Sequence, residues 1–566
     1  MTKDAFVRVR IEAGKTPLVE KTLEILGRKL LERTGLQLKL IDTHAPDIAL
    51  GIEPGIGAEG YRIEPGPGGG VRIAGNDERG LLYGVGKLLR DARLAPGRFE
   101  PGPWRGASAP RLKERGIYFA THFGNFYDLA PMDEIVRYVE DLALWGCNLL
   151  AVWYDMHAFT GIDDPAARRV IDRLHGILDA ANNVGMGALL GVLANEAYST
   201  SPKGLRAEPA PHHYHVEICP SKPGGMELIL KWRREMLAAF SDLDVRCFWI
   251  WPYDQGGCMC RDCSPWGGNG FIRTAGPMAR LIREMFPSAR IVLSTWEFGY
   301  WHGDAEWDKF YEAMAAKPDW VDYILSEGHG DFPPYVLKHG RPGGYPLLNF
   351  PEISMNGMSP WGGFGANLQP ARLQKVWNAC RGMLAGGFPY SEGIFEDVNK
   401  AICLQFYWDG DRRAEDIVKE YAAAEFAPDA AGIIAKAVMG LERNMGHDIS
   451  GDWMDAVADG HVKKPALVLK SCSNPDENLE LLNQAEALMD ESARRAWRWQ
   501  VLKIRAELDS EIARTGGRIS ERADALFKKL AAIYHADNER SYLCVLPPSR
   551  DALLAKSRES GLKLVV

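Results

Sequence analysis

The chain has 566 residues, of which 46% are hydrophobic and 25% charged, and its formal net charge is -8. That length exceeds one typical domain and the apolar share supports a large core, so about two to four domains are expected. A mildly acidic balance supplies no basic field for nucleic acid, and no segment approaches the roughly 18 uninterrupted apolar residues of a membrane span.

The N-terminal stretch MTKDAFVRVRIEAGK carries charges throughout and lacks the apolar centre of a signal segment, so the chain as given reads as cytoplasmic. An amphipathic helix pattern follows in VEKTLEILGRKLLERTG, then short strands in DIALGI and YRIEP, then GNDERGLLYGVGKLLRDARL. Together they predict a small α/β domain over residues 1–108. The proline- and glycine-rich PGRFEPGPWRGASAPRLKERG marks the passage into the next domain.

From Gly116 onward, strand-like and helical runs alternate in the order that signals a parallel sheet. The strand-like runs are GIYFATHF, NLLAVWYD, GALLGVLANEA, RCFWIWPYD, ARIVLSTWEF, VDYILSE, YPLLNF and GMLAGGFPYSE. The fold class is therefore α/β: a (β/α)8 TIM barrel over 109–408, with long loops after its third and fourth strands. The remainder, 409–566, holds helical patterns such as AEDIVKEYAAAEF and NLELLNQAEALMDESARRAWRWQVLKIRAELDSEIARTG. No catalytic motif is visible there, so packing against the barrel is its expected role, with closure of one side of a pocket as a second.

Several predicted strands end in a carboxylate. The aromatic run RCFWIWPYDQGG ends in Asp254 and two glycines, and the same pattern places Glu297, Glu327, Glu352 and Glu392 at later strand ends. Active sites of such barrels gather at the C-terminal ends of the strands, so these acids are expected to converge. Glycoside hydrolysis needs one protonated carboxyl and one ionised carboxylate, which mutual repulsion and burial can separate. Asp254 and Glu392 lead the candidates, then Glu327 and Glu352, then Glu297; each alone also reads as a structural partner in a loop. A sugar needs aromatic platforms beside polar groups. His122, Trp153, Tyr154, Asp155, Trp296, Tyr300, Trp361 and Tyr390 lie at or just past strand ends and are the candidate subsite residues, although 17 tryptophans also feed a core. Arg115, Arg246 and Arg341 lie near barrel elements without an implied partner.

Ten cysteines in so long a chain are not a disulfide framework, and Cys147, Cys247 and Cys403 read as buried thiols. The run Cys258-Met-Cys260-Arg-Asp-Cys263 is different. Three soft ligands in a short loop suit a structural zinc, with Cys219 as the candidate fourth ligand and His212, His213 or His215 as alternates. Free thiols or a disulfide are the competing expectation, and a hydrolytic zinc with an open position is a weaker one. No nucleotide cofactor is implied, because neither a GxGxxG between strand and helix nor a GxxxxGK[ST] is present, and no GxSxG elbow supports an esterase.

The segment AGNDERGLLYGVGKLLRDARL, residues 74–94, resembles the end of the domain that precedes the barrel in a group of exo-acting glycosidases. That group includes the β-hexosaminidases and microbial α-glucuronidases, and the three-part layout is similar as well. The resemblance implies an exo-acting glycoside hydrolase that removes a terminal amino sugar or sugar acid from an oligosaccharide or glycoconjugate. β-Hexosaminidases carry Asp-Glu at the end of strand four, whereas this chain has Asp254-Gln255. A glutamine amide cannot serve as the acid, so Asp254 itself or another strand must supply it. Two alternatives follow: a non-hydrolytic carbohydrate-binding protein on a decayed barrel, or a metal-dependent hydrolase or lyase that uses the cysteine loop. The expected partner is a carbohydrate, with no nucleic acid and no membrane; a homo-oligomer is left open.

Overall fold

A computed structural model describes residues 6–42, 45–121, 125–208, 215–253, 256–327, 332–354, 368–444, 474–516 and 520–535. The N-terminal unit is a six-stranded sheet in the order β2-β1-β3-β5-β4-β8. Its strands are β1 (Phe6–Ile11), β2 (Gln37–Leu40), β3 (Ile48–Ile52), β4 (Tyr61–Pro65), β5 (Val71–Gly75) and β8 (Gly106–Ser108), while β6 (Arg93–Ala95) and β7 (Arg98–Glu100) form a separate hairpin. Helix α1 (Pro17–Thr34) begins where the Thr16 hydroxyl accepts from the Val19 amide and ends at Gly35 in the left-handed region. Helix α2 (Glu78–Asp91) is capped by the Asp77 carboxylate, which accepts from Gly80 N at 2.9 Å and from Glu59 N at 2.8 Å. The strand β1 was not among the predicted elements. Its arginines gave it a polar look, yet FVRVRI alternates, burying Val7 and Val9 and turning Arg8 and Arg10 outward.

The barrel is closed and parallel, in the order β10-β11-β12-β13-β14-β15-β16-β9, with β9 pairing back to β10. Its strands are β9 (Glu114–Phe119), β10 (Leu149–Trp153), β11 (Gly187–Leu193), β12 (Val245–Trp251), β13 (Arg290–Ser294), β14 (Tyr323–Ser326), β15 (Leu347–Asn349) and β16 (Leu384–Gly387), followed by the short β17 (Tyr390–Ser391). Strands covered on both faces read as unbroken apolar runs, and LLAVW and GALLGVL are buried along their whole length. Each of the eight predicted runs overlaps one of these strands. The last is split at Phe388 and Pro389: proline has no N–H for the ladder, and its carbonyl instead accepts from Tyr118 N at 3.0 Å before β17 resumes beside β9.

Around the barrel lie α3 (Phe126–Leu129), α4 (Met132–Leu144), α5 (Pro165–Asn183), α6 (Gly225–Ala238), α7 (Gly270–Met285), α8 (Asp304–Ala315), α9 (Pro334–His339), α10 (Pro370–Cys380) and α11 (Asp397–Trp408). The C-terminal part adds α12 (Ala414–Glu425), α13 (Ala431–Asn444), α14 (Pro475–Glu486), α15 (Glu491–Arg495), α16 (Trp497–Thr515) and α17 (Glu521–Tyr534). The long helical pattern from Asn478 to Gly516 is thus interrupted, because Asp490 caps a new helix start by accepting from Ala493 N at 2.8 Å. Arg498 of α16 fastens this region to the barrel, reaching Asp397 of α11 at 2.7 Å and Asp141 of α4 at 3.0 Å. Among the described residues, no helix is long and apolar enough to cross a membrane.

Candidate active site

Three of the candidate acids converge at the C-terminal ends of neighbouring barrel strands. Glu327 follows β14, Glu352 follows β15 and forms an isolated bridge with Tyr390, and Glu392 follows β17. Glu327 and Glu352 are each 5% exposed and Glu392 is 0% exposed. Burial first, then the charges of Glu352 and Glu297, push the Glu327 carboxyl well above the usual range. Its Oε1 has no hydrogen-bond partner among the described residues. Glu392 is also pushed well up by burial, opposed by the Tyr390 hydroxyl that donates to its Oε1 at 2.7 Å and reinforced by Glu352 and Glu396. Charge on Glu352 therefore opposes ionisation of both neighbours. Its own Oε1 accepts from Ser354 N at 2.8 Å, and the Ser354 hydroxyl accepts from Glu392 N at 2.9 Å.

One layer deeper, Glu396 and Lys400 form a fully buried pair, with Lys400 Nζ 3.8 Å from Glu396 Oε2. Burial raises Glu396 to about 7 and lowers Lys400 to about 8, with each partner's charge opposing the other's shift. This pair was not foreseen, since both residues belong to the start of α11 rather than to a strand end.

Glu297 follows β13 in a left-handed conformation, φ 59°, on the loop that continues through Gly299. Glu306 of α8 holds that loop: its Oε2 accepts from Gly299 N at 2.9 Å, while Oε1 accepts from Gly267 N at 2.8 Å and from the Tyr253 hydroxyl. Tyr253 ends the described part of the loop after β12. Asp254 and Gln255 lie outside the described residues, as do His122, Trp361, His212 and His213. The segment past Asp254 is held by Asn195, whose Nδ2 donates to Gly257 O at 2.8 Å and Ile218 O at 2.9 Å, and whose Oδ1 accepts from Gly257 N at 2.7 Å. Both glycines are needed there: Gly257 has φ 107°, and a Cβ on Gly256 would stand 2.6 Å from Pro252 O.

An aromatic wall fills the barrel beneath these acids. Trp251 stacks on Trp296 with centroids 5.0 Å apart and meets Trp249 at 5.0 Å and Trp153 at 6.0 Å. Tyr390 packs between Tyr118 at 5.5 Å and Phe350 at 5.8 Å. Trp153, Trp296 and Tyr390 thus stand together, whereas Tyr154 stacks on Phe159 at 5.5 Å, off that wall. Tyr300 is 63% exposed at the rim, where burial and the charges of Glu297 and Glu327 raise its hydroxyl. Asp155 joins a set that the sequence reading missed: Asp155, His157 and Glu196 bring one ligand atom each within 4.8 Å, with His157 Nδ1 2.9 Å from Glu196 Oε1. Glu196 stands near the end of the run GALLGVLANEA, the same signal that singled out the other acids.

The arginines serve elsewhere. Arg115 and Arg246 are second residues of β9 and β12, at the opposite end of the barrel; Arg115 pairs with Glu59, and Arg246 donates to Asn148 O at 3.0 Å. Arg341 is exposed just before a short helical turn, Pro342–Gly344. The sulfurs of Cys219, Cys258, Cys260 and Cys263 come together within 4.8 Å. His215, the described member of the histidine alternates, is exposed and not part of that group.

No protein-family model and no curated protein matches the sequence. Among solved structures the chain is similar to a family GH115 4-O-methyl-α-glucuronidase with specificity for decorated arabinogalactans, at 13% identity and a TM-score of 0.61 over 93% of this chain and 76% of that one. It shares its fold with glycoside hydrolases. A family 89 glycoside hydrolase from Clostridium perfringens aligns at 12% identity and a TM-score of 0.59, over 91% of this chain and 65% of that one. A GH20 β-N-acetylhexosaminidase from Streptomyces coelicolor A3(2) aligns at 16% identity and a TM-score of 0.52, over 76% of this chain and 92% of that one. At these identities the likeness concerns the fold, and the chemistry must be argued from the side chains of this chain.

Proposed function

We propose that this chain is an exo-acting glycoside hydrolase that releases a terminal amino sugar. The observation that carries the reading is the uneven protonation imposed on neighbouring acids. Glu327 is held neutral by burial and by two like charges, and one of its oxygens faces no described partner, as a proton donor to a leaving oxygen requires. Glu352 takes the ionised role, as nucleophile or as the base for water, with the Ser354 amide to steady its charge. Glu392, fully buried and held by Tyr390, stands behind the pair, its carboxyl pushed up by burial and by the charge of Glu352. Asp254, which follows β12 in sequence, remains part of the reading as a residue that orients the substrate or assists it.

Charge supports an amino sugar over a uronic acid in this reading. A uronate would bring its carboxylate toward Glu297, Glu327 and Glu352, while Arg115 and Arg246 lie at the far end of the barrel. A neutral N-acetylated or a cationic amino sugar meets no such repulsion, and one structural neighbour is a β-N-acetylhexosaminidase. Tyr300, exposed at the rim, is the aromatic face on which a pyranose can rest, with Trp296 beneath it in the barrel wall.

The test is a panel of aryl glycosides, N-acetylhexosaminides, hexosaminides, uronides and neutral hexosides, assayed with the wild type, Glu327→Gln, Glu352→Gln and Asp254→Asn. Release from the amino-sugar class that falls by about 10²- to 10⁴-fold in Glu327→Gln supports the reading. Preferential release of a uronic acid would sink the substrate assignment, and full turnover by Glu327→Gln would sink the acid.

A further inference from the structure

Two loops at the barrel mouth meet in a knot of sulfur. Cys219 lies between β11 and α6, and Cys258, Cys260 and Cys263 lie between β12 and α7. Cys219 Sγ is 3.8 Å from Cys260 Sγ and 3.9 Å from Cys263 Sγ, and all four sulfurs fall within 4.8 Å of one another. A disulfide requires about 2.05 Å, so none of these cysteines is bonded to another. Four thiolates at about 2.3 Å from a central ion form a tetrahedron whose edge is about 3.8 Å.

Hydrogen-bond donors surround the sulfurs. The Ser221 amide donates to the Cys219 sulfur, and the Cys260 and Glu208 amides donate to the Cys258 sulfur. The Ser221 hydroxyl lies 3.2 Å from Cys263 Sγ and accepts from Arg273 Nη1 at 2.6 Å, so a cation backs the cluster through one hydroxyl. Cys263 N and Ser264 N both donate to Cys260 O, at 3.0 Å and 2.9 Å, which folds the Cys260–Cys263 turn so that both sulfurs face the same centre. Three of the four cysteines are buried and Cys260 is half-buried, which gives an ion a way in.

We propose that Cys219, Cys258, Cys260 and Cys263 bind one Zn2+ as a closed structural site that ties the loop after β11 to the loop carrying Asp254. Binding forms four Zn–S bonds and releases the four thiol protons to solvent. With every position filled by sulfur, no water can be activated there, so the ion organises the mouth of the barrel and takes no part in hydrolysis. The tie has a second strand in Asn195, which bridges Ile218 and Gly257, the residues directly before Cys219 and Cys258.

The experiment uses the purified full chain, loaded with zinc and gel-filtered into metal-free buffer, with metal content measured by plasma mass spectrometry. About one zinc per chain is expected, falling below about one fifth in Cys219→Ser and Cys263→Ser. Because either variant can fail to fold, the wild type is also exchanged with Co2+, which should give the intense sulfur-to-metal absorption and visible bands of tetrahedral thiolate coordination. Hydrogen exchange should accelerate in residues 252–263 on metal removal while β14 and β15 stay protected. Iron at the same stoichiometry, no bound metal, or cobalt spectra without thiolate bands would each overturn the proposal. These readouts require no turnover, so they stand or fall separately from the glycosidase reading.

Discussion

Asn195 provides the sharpest test of how the mouth of the barrel is held. It is 0% exposed and makes three hydrogen bonds to the two loops, at 2.7, 2.8 and 2.9 Å. Asn195→Ala leaves a buried N–H and a buried C=O of Gly257 and the C=O of Ile218 without that partner. A buried polar group deprived of its partner costs about 1–3 kcal/mol, and carbonyls tolerate the loss better than amides, so a total near 3 kcal/mol is expected. Equilibrium urea unfolding followed by tryptophan fluorescence reports the change, since Trp249 and Trp251 pack in the barrel interior directly below. Turnover should fall about 10- to 100-fold, because displacing a positioned group by a fraction of a residue's width is enough for such losses. Asn195→Asp adds a sign check: the carboxylate still accepts from Gly257 N but faces two carbonyls that it cannot donate to. Burial and those carbonyls raise its pKa, so the variant's stability should decline as pH rises from the unfolded value of about 3.9 through the raised folded one. A loss below about 0.5 kcal/mol in Asn195→Ala would refute the clamp.

Four further outcomes follow from the charges. Glu327 must carry a proton to act, so kcat should fall on the alkaline side; Glu297→Gln removes one of the charges that raise Glu327 and should move that limb to lower pH in a pH–rate profile. Lys29 and Arg498, against the opposing effect of burial, hold Asp141 at about 2 rather than 3.8. That depression contributes roughly 2 kcal/mol at neutral pH, fully present above the unfolded value and lost as pH falls toward the folded one, so Asp141→Asn should flatten the acid limb of an unfolding-versus-pH curve. Glu396, raised to about 7 from 4.5, has the opposite sign: its burial costs stability as pH rises across that interval, which a urea-midpoint series from pH 5 to pH 8 in wild type and Glu396→Gln resolves. Arg115→Met removes the buried guanidinium that pairs with Glu59 and donates to Gly146 O, leaving that carboxylate with Arg79 and Asn148, and should cost about 1–3 kcal/mol by the same unfolding assay, without a change in KM.

The barrel was legible because its strands are covered on both faces, which turns each into a short apolar run that ends where polar chemistry begins. Glu327, Glu352 and Glu392 stand at such ends, and local sequence alone places them near one another once eight strands are counted. The supporting groups carry no such mark. Glu306 sits in the first turn of α8 beside Asp304, where an acidic residue ordinarily offsets the helix dipole at the surface. It is instead 0% exposed, because two loops that follow different strands present Gly267 N and Gly299 N to one carboxylate, and Tyr253 adds its hydroxyl. Nothing within the segment DAEWDKF distinguishes that inward glutamate from an outward one. Asn195 is hidden in the same way: an asparagine after a strand reads as a turn residue, and only the approach of Ile218 and Gly257 from separate loops gives its amide three partners. In the cysteine group the spacing reveals three members, while Cys219, the candidate fourth, is 39 residues before the first of them in sequence and within 4 Å of Cys260 and Cys263 in space. What local sequence conveys here is therefore where chemistry can occur, and what it withholds is which polar residues from other loops hold that chemistry in place. The latter depends on loop ends meeting across neighbouring strands, and it is where single substitutions should do the most damage per atom removed.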